Sequence, residues 1–432
     1  MANDHTFNNA LTPIGPEQRV FTGMSHAALW FSLGVGLLVM QVGAYLVPAV
    51  GTQDAFIAIA VGSVLGSALL AWTAKVGCDT GLSSAGLMHQ VYGSAFAKLP
   101  VLLNIVQLVG WTTFELVVMR DGTQAITTQL FGAPIHTYVA TLLWGGVLVL
   151  LMLSSMLTLV RQFVSRVGLP LVVLSLCWLS WHFFGVLQTQ GLEAFWQREG
   201  TGEMSMLSAI DLVMAMPVSW LPLVADYARH GKNGNSTLRG TWVGYAIANV
   251  WCYALGILVV SVSAPDTNLV TALLLAQGGL LSLGLILMDE IDNAYGDVYS
   301  SAVCANSLQP SLTIRHWGIG IAVACTALAF VLPMHDLEPF LLLLSSIFVP
   351  LYGVILGRLS HLNFTADKTM ITQLPSAQSH HTLPIVIWIL GIGIFHAATL
   401  WVPQFGSALP SLVITFVLSR LSTHMAPSSA HT

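Results

Sequence analysis

The sequence predicts an all-α polytopic membrane protein with twelve transmembrane helices. Of its 432 residues, 55% are hydrophobic and only 8% are charged, and the mean hydropathy is +0.77. A soluble domain carries about 25% charged residues. Twelve mainly apolar stretches, each about long enough to cross a bilayer, are separated by polar loops. Lipid is therefore the expected surrounding of most of this chain.

The twelve segments follow one another between two polar tails. The first six are residues 24–49, 55–75, 99–119, 137–158, 163–186 and 205–227, and the second six are residues 240–262, 280–303, 317–334, 338–357, 383–400 and 403–420. We expect residues 1–23 and 421–432 to form the tails, and residues 1–18 lack the basic start and apolar centre of a signal peptide. A short apolar run at 269–277, following Pro265, predicts an interfacial or re-entrant helix at the outer side.

The positive charges predict the orientation, because cytoplasmic loops carry an excess of Lys and Arg. With the N-terminus inside, the positive residues at inner ends or loops are Arg19, Lys75, Lys98, Arg161, Arg166, Arg229, Lys232, Arg239, Arg315, Arg358, Lys368 and Arg420. Only Arg120 and Arg198 fall outside. We therefore expect a multi-pass protein of the cytoplasmic (inner) membrane with both termini in the cytoplasm.

Composition also excludes several function classes. The 14 Lys and Arg residues are outnumbered by 19 Asp and Glu, which gives a net charge of −5 and no basic face for a nucleic acid. Five scattered cysteines predict no disulfide framework. The sequence has no CxxC or Cys/His metal spacing and no visible nucleophile–base pair, so we expect neither an enzyme nor a bound cofactor.

Segments one and six carry helix breakers near mid-membrane. Segment one holds Gly34 and Gly36, and segment six reads MAMPVSWLPLV, with a proline on either side of Ser219 and Trp220. Non-helical backbone inside a membrane is tolerated where it lines a cavity. If the chain consists of two inverted five-helix halves and two further helices, the two segments correspond. Such a pair predicts the binding site of a transporter; taken alone, Gly34 and Gly36 are also consistent with close helix packing.

Segment eight carries acids where the membrane should be most apolar. Asp289, Asp292, Asn293 and Asp297 fall on one side of a helix with about 100° per residue, and Glu290 lies at the edge of that side. Acids in a bilayer cost a few kcal/mol each, so this side must face a wet or protein-lined interior. Either some are protonated, or a metal ion or cationic substrate lies among them. The alternative is that segment eight ends early and the acids lie in a loop.

Together with segment three, these features predict a site for a flat heteroaromatic ring. The groups expected near mid-membrane are Trp111, Glu115, Ser219, Trp220, Asn293 and Asp297. Two indole rings can enclose a ring, and a carboxylate can accept two hydrogen bonds from the amine and protonated ring nitrogen of an aminopyrimidine. With acids and no base at the site, we do not expect an anionic substrate. The alternative for the tryptophans is an interfacial aromatic belt.

These residues resemble the nucleobase:cation symporters, the family of the cytosine permease and the benzylhydantoin transporter, and are most similar to its hydroxymethylpyrimidine permeases. The resemblance covers essentially the whole membrane region. The matching motifs are WF at residues 30–31, TGLSS at 80–84, GWTTFE in segment three, SWLPLVADYAR in segment six and DVYSSAV in segment eight.

The resemblance implies a LeuT-type fold with inverted repeats at residues 24–186 and 205–357 and two final helices at 383–420. It implies that Trp111 and Trp220 stack on the substrate, that Glu115 takes the place of a glutamine, and that Asp297 takes the place of an asparagine. Gly36, at the break in helix one, completes the expected substrate-binding set.

The resemblance also implies a sodium site made by the backbone carbonyls of Ser32 and Val35 and by two hydroxyl side chains of helix eight. Here Ile291 and Asp292 stand at the two hydroxyl positions. We therefore expect Asp292 to respond to the coupling ion, which is Na⁺ or H⁺.

The sequence thus predicts a symporter that imports an aminopyrimidine by alternating access, with hydroxymethylpyrimidine, a thiamin precursor, as the expected substrate. We expect the lipid bilayer, a small heteroaromatic substrate and a coupling cation as its partners, no nucleic acid, and a monomer. The alternative within the family is a cytosine, purine or allantoin permease. More distant alternatives are a membrane enzyme and a channel.

Overall fold

The fold was analysed in a computed structural model that describes residues 10–153, 168–264, 267–332, 337–360 and 375–425. Within these residues the chain is helical, and its one β-bridge joins Phe21 to Gly231. The end of predicted segment four, the start of segment five, the end of segment nine, and Pro265 lie outside the described residues. So do three of the positive residues used for the orientation, Arg161, Arg166 and Lys368.

Seventeen α-helices are named here in chain order. The first eight are α1 (Gly23–Ser32), α2 (Leu37–Ala49), α3 (Thr52–Thr80), α4 (Ser84–Tyr92), α5 (Lys98–Phe131), α6 (Thr137–Met152), α7 (Leu169–Gln190) and α8 (Leu192–Trp196). The other nine are α9 (Met206–Ser219), α10 (Leu221–Ala228), α11 (Gly234–Val262), α12 (Leu269–Leu275), α13 (Gly279–Leu308), α14 (Ile314–Val331), α15 (Leu337–Leu359), α16 (Thr382–Trp401) and α17 (Ala408–Met425).

These helices agree with the predicted twelve-segment membrane architecture. In the described part of the chain, eight spans are long and apolar enough to cross a membrane, and the bent pair α1–α2 makes a ninth. The shorter apolar helices α6 and α17 and the acidic helix α13 account for the remaining three segments. The protein is therefore an all-α, multi-pass membrane protein.

Several helix bounds differ from the prediction. Helix α5 continues to Phe131, so Arg120 lies within it and donates a hydrogen bond to the carbonyl oxygen of Ala329 at 3.0 Å. Helix α17 begins at Ala408, because Pro403–Phe405 forms a 3₁₀ turn that ends at Gly406 with φ of 71°. The short helices α4 and α8 were not predicted, since neither is long enough to give an apolar membrane segment.

Both predicted interruptions are present. Helix one ends at Ser32 and resumes at Leu37, and its two halves are bent by 62°. The interruption of helix six is slight: α9 ends at Ser219 and α10 begins at Leu221, but Trp220 between them keeps φ of −84° and ψ of −10°, and Met206–Ala228 forms one span. Irregular backbone inside the bundle is therefore found at the break in helix one, as expected for a helix that lines a cavity.

Helix α11 holds the two halves of the first broken helix through glycines. A Cβ added at Gly240 would lie 2.1 Å from the carbonyl oxygen of Gly23, and one added at Gly256 would lie 2.0 Å from that of Met40. Small residues let membrane helices approach this closely. The position of the break is therefore fixed by backbone packing on both sides.

The acidic segment is one continuous helix. Helix α13 runs from Gly279 to Leu308 and packs along α5, so the alternative that its acids lie in a loop is wrong. Asp289, Glu290, Asn293 and Asp297 are all buried. The polar side of α13 therefore faces protein rather than lipid.

The N-terminal segment packs against the end of the bundle where the sequence predicts cytoplasmic loops. The backbone N–H of Ala10 donates to Asn306 Oδ1 at 2.9 Å, and its carbonyl oxygen accepts from Ser83 Oγ at 2.6 Å. Farther along, the N–H of Phe21 donates to the carbonyl oxygen of His230 at 2.9 Å. This segment thus connects α4, α10 and α13 at one end of the molecule.

Candidate functional site

An internal cavity lies where the two broken helices meet α5 and α13. It is nearly closed, because the centre of a water-sized sphere can move within only about 10 Å³ of it, about the space of one water molecule. Its lining consists of Leu33, Gly36, Leu38, Val39, Trp111, Glu115, Met216, Ser219, Trp220, Glu290, Asn293 and Asp297. All seven residues that the sequence predicts for substrate binding therefore line one cavity.

Two indole rings supply the aromatic part of this lining. Trp111 on α5 packs edge-on against Phe340 with ring centroids 5.1 Å apart, and Trp220 packs edge-on against Trp30 at 6.0 Å. Both tryptophans are buried, with 5% and 7% of their surface exposed. Their neighbours therefore fix the rings deep within the bundle, which does not fit the alternative of an interfacial belt.

The polar part of the lining contains atoms without a hydrogen-bond partner. Among the described residues these are Glu115 Oε2, Asn293 Oδ1, Trp111 Nε1 and Trp220 Nε1. Such groups cost free energy when they are buried unpaired. A ligand that offered donors to the two oxygens and acceptors to the two indole N–H groups would satisfy them.

Glu290 is the acidic residue of the cavity that the predicted substrate-binding set did not include. We expected it at the edge of the polar side of segment eight, yet it lines the cavity with 1% of its surface exposed. Its carboxyl group accepts from Asn293 Nδ2 at 3.3 Å and lines the same cavity as Glu115. Positions 290, 293 and 297 follow i, i+3, i+7 spacing and share one helix face, which is the signal that could have identified it.

The residues expected at the coupling-ion site lie beside this cavity. Ser32 Oγ donates to Asp289 Oδ1 at 2.8 Å, and Asp292 follows three residues farther along α13. The carbonyl oxygen of Val35 accepts from Asn293 Nδ2 at 3.3 Å. Helix one and α13 therefore bring two carboxyl groups, a hydroxyl and a carbonyl oxygen to one region, and such hard oxygen donors suit a hard cation or a proton. Asp289 was not in the expected ion-binding set.

A comparison with protein-family models matched residues 13–359 to the family described as permease for cytosine/purines, uracil, thiamine and allantoin. A comparison with curated protein sequences gave no match.

Solved structures of transporters share the fold. The first is Mhp1, described as a nucleobase-cation-symport-1 family transporter in a closed conformation with bromovinylhydantoin bound. It has a TM-score of 0.83 and 15% identity over 96% of this chain and 95% of that chain. A Na⁺-coupled sialic acid symporter in a substrate-bound outward-open state has a TM-score of 0.62 and 11% identity, over 94% and 89%. MhsT in complex with L-phenylalanine has a TM-score of 0.59 and 13% identity, over 92% and 98%. At these identities the likeness concerns the fold alone, which is of the LeuT type, as predicted.

Proposed function

The chain belongs to the family of permeases for cytosine and purines, uracil, thiamine and allantoin, and from this premise we propose that it imports an aminopyrimidine together with a cation. A member of this family is a transporter and not an enzyme. The observation that carries the proposal is the lining of the nearly closed cavity, in which two indole rings and three acidic side chains come together. Hydroxymethylpyrimidine is the substrate that we expect.

The chemistry of the lining supports an aminopyrimidine over a plain oxo-pyrimidine. Trp111 and Trp220 offer aromatic surfaces to a flat ring, and stacking of a base on an aromatic side chain is worth about 1–3 kcal/mol. Glu115 has an unpaired carboxyl oxygen, and Asp297 is buried with 2% of its surface exposed. An amine next to a protonated ring nitrogen gives a carboxylate two charge-assisted hydrogen bonds, which a ring carbonyl does not offer.

We assign the coupling cation to the region of Ser32, Val35 and Asp292. In this region the side chain of Ser32 donates to Asp289 of α13, three residues before Asp292. Where the family resemblance implies two hydroxyls, this chain has Ile291 and Asp292. That exchange favours a proton, and sodium is the alternative.

Transport in this proposal follows alternating access around the cavity. The junctions at residues 33–36 and at Trp220 lie next to the cavity, so a change in the angle between two half-helices would open it to one side. We place the protein in the cytoplasmic membrane with both termini inside. The packing of residues 10–22 against the end that carries Arg229 and Lys232 agrees with that orientation.

The test is uptake of labelled hydroxymethylpyrimidine into cells that express the protein. We expect saturable uptake that collapses with the ion gradient and is lost in Trp111→Ala. Omitting sodium and varying external pH separates the two cations, because only a proton-coupled carrier would be indifferent to sodium and follow pH.

A competition panel of cytosine, purines and allantoin examines the alternative substrates, since the family includes permeases for each. Uptake of one of these in preference to hydroxymethylpyrimidine would refute the substrate assignment. Uptake that does not saturate would indicate a channel.

A further inference from the structure

Glu290 binds the end of a half-helix. Helix α2, thirteen residues long, begins at Leu37 directly after the break, and the backbone N–H of Leu37 donates to Glu290 Oε1 at 2.5 Å. The first N–H groups of a helix and its dipole favour a negative charge at this end. In transporters with broken helices, such ends point at anionic groups of the substrate. Here a carboxyl group of the protein itself occupies the helix end.

The same side chain is also part of the cavity wall. A Cβ added at Gly36 would lie 3.0 Å from Glu290 Oε1, so the carboxyl group packs against the unwound backbone. Glu290 lines the cavity together with Glu115, whose Oε2 has no hydrogen-bond partner among the described residues. An anionic ligand would therefore meet two acidic side chains and find the helix end taken.

We propose that Glu290 is a specificity-determining residue that excludes anionic heterocycles, because it fills the place at the start of α2 where a carboxylate of the cargo would bind. This inference rests on the proposed function of the cavity as the substrate site and adds to it the class of ligand that is rejected. Specificity of this kind comes from an unfavourable interaction with the wrong ligand as well as from contacts with the right one. The competing interpretation is that Glu290 only caps α2 and has no effect on ligand choice.

The experiment compares a neutral and an anionic pyrimidine on wild type, Glu290→Gln and Glu290→Ala. Uptake of labelled hydroxymethylpyrimidine is measured against increasing orotate, a pyrimidine carboxylate, and binding of both compounds is followed by the thermal stability of the purified proteins. We expect orotate to compete about tenfold better in both variants than in wild type. The gain should be larger in Glu290→Ala, since this variant leaves the N–H of Leu37 free for the ligand.

Asp211→Asn is the matched control. Asp211 accepts hydrogen bonds from the N–H groups of Ser407 and Ala408 at the start of α17, so this variant also removes a charge at a helix end, but away from the cavity. Orotate competition should be unchanged in it.

Unchanged orotate competition in both Glu290 variants would overturn the proposal, and so would folded variants that bind neither compound. If Glu290→Ala does not fold, the result with Glu290→Gln decides alone. Glutamine can still accept the hydrogen bond from the N–H of Leu37, so this variant keeps the contact and removes the charge. If wild type takes up another neutral pyrimidine instead of hydroxymethylpyrimidine, the substrate assignment fails, and the orotate comparison is made with that compound as the tracer.

Discussion

Replacing Glu115 by glutamine tests how the cavity recognises its ligand. Glu115 is 3% exposed, and its Oε2 has no hydrogen-bond partner within the protein. A hydrogen bond to a charged group contributes about 1.5–3 kcal/mol and a neutral one about 0.5–1.5 kcal/mol. Glutamine keeps the shape and one acceptor, but unlike Glu115 it cannot carry the negative charge that would pair with a protonated ring. We therefore expect the affinity for an aminopyrimidine to fall by about 1–1.5 kcal/mol, which is about five- to tenfold.

The assay is competition for uptake by an aminopyrimidine and by its oxo analogue, measured in parallel on wild type and Glu115→Gln. Because the new amide can donate to a ring carbonyl, the oxo analogue should lose less affinity than the amine, or gain some. Asp121→Asn is the control: it removes an acid from the same helix, and Asp121 pairs with Arg120 instead of lining the cavity. Equal losses for both compounds in Glu115→Gln would refute the recognition role.

Three further variants test other parts of the account. Trp220→Ala should weaken substrate binding by about 1–3 kcal/mol, the range for one base stacked on an aromatic ring, and competition assays should show Trp220→Phe to be milder; equal effects would argue against stacking. Asp292→Asn should reduce the dependence of uptake on external pH or sodium by about five- to 150-fold, the range that corresponds to coupling free energies of about 1–3 kcal/mol. An unaltered ion dependence would show that Asp292 is not part of the coupling site. Gly256→Ala should destabilise the protein by about 1–3 kcal/mol, since its Cβ would lie 2.0 Å from the carbonyl oxygen of Met40. Gly185→Ala is the matched control, since no atom lies within 4 Å of its new Cβ, and it should have the melting temperature of wild type in detergent. An unchanged melting temperature for Gly256→Ala would show that the close packing is unimportant.

Much of the fold followed from local sequence because the membrane imposes strong constraints. A bilayer requires long apolar segments, and it tolerates breakers only where the freed backbone is buried in protein or lines a cavity. Helix ends were less predictable. Helix α5 extends past Arg120, because the guanidinium group of Arg120 donates hydrogen bonds to Asp121 Oδ1 and to the carbonyl oxygen of Ala329. The short helix α4 gives no membrane signal, and its first turn is instead fixed by a contact from afar, the bond between the N–H of Ser84 and Asp226 Oδ1.

The site was predictable where the chemistry was unusual for a membrane. Glu115, Asp297 and the two tryptophans stand out from their apolar surroundings, and the structure brings them to one cavity. Glu290 lies within about 20° of Asp297 around α13, but nothing in the sequence of α13 alone shows which side faces the broken helix. Only the packing of α2 against α13 places Leu37 on Glu290. Tertiary contacts of this kind cannot be read from one helix.

A structure determined with bound hydroxymethylpyrimidine tests the central claim most directly. The account predicts the ring between Trp111 and Trp220, with its amine edge within hydrogen-bonding distance of Glu115 or Asp297. A ligand bound outside this cavity, or one whose amine points away from both carboxyl groups, would contradict it.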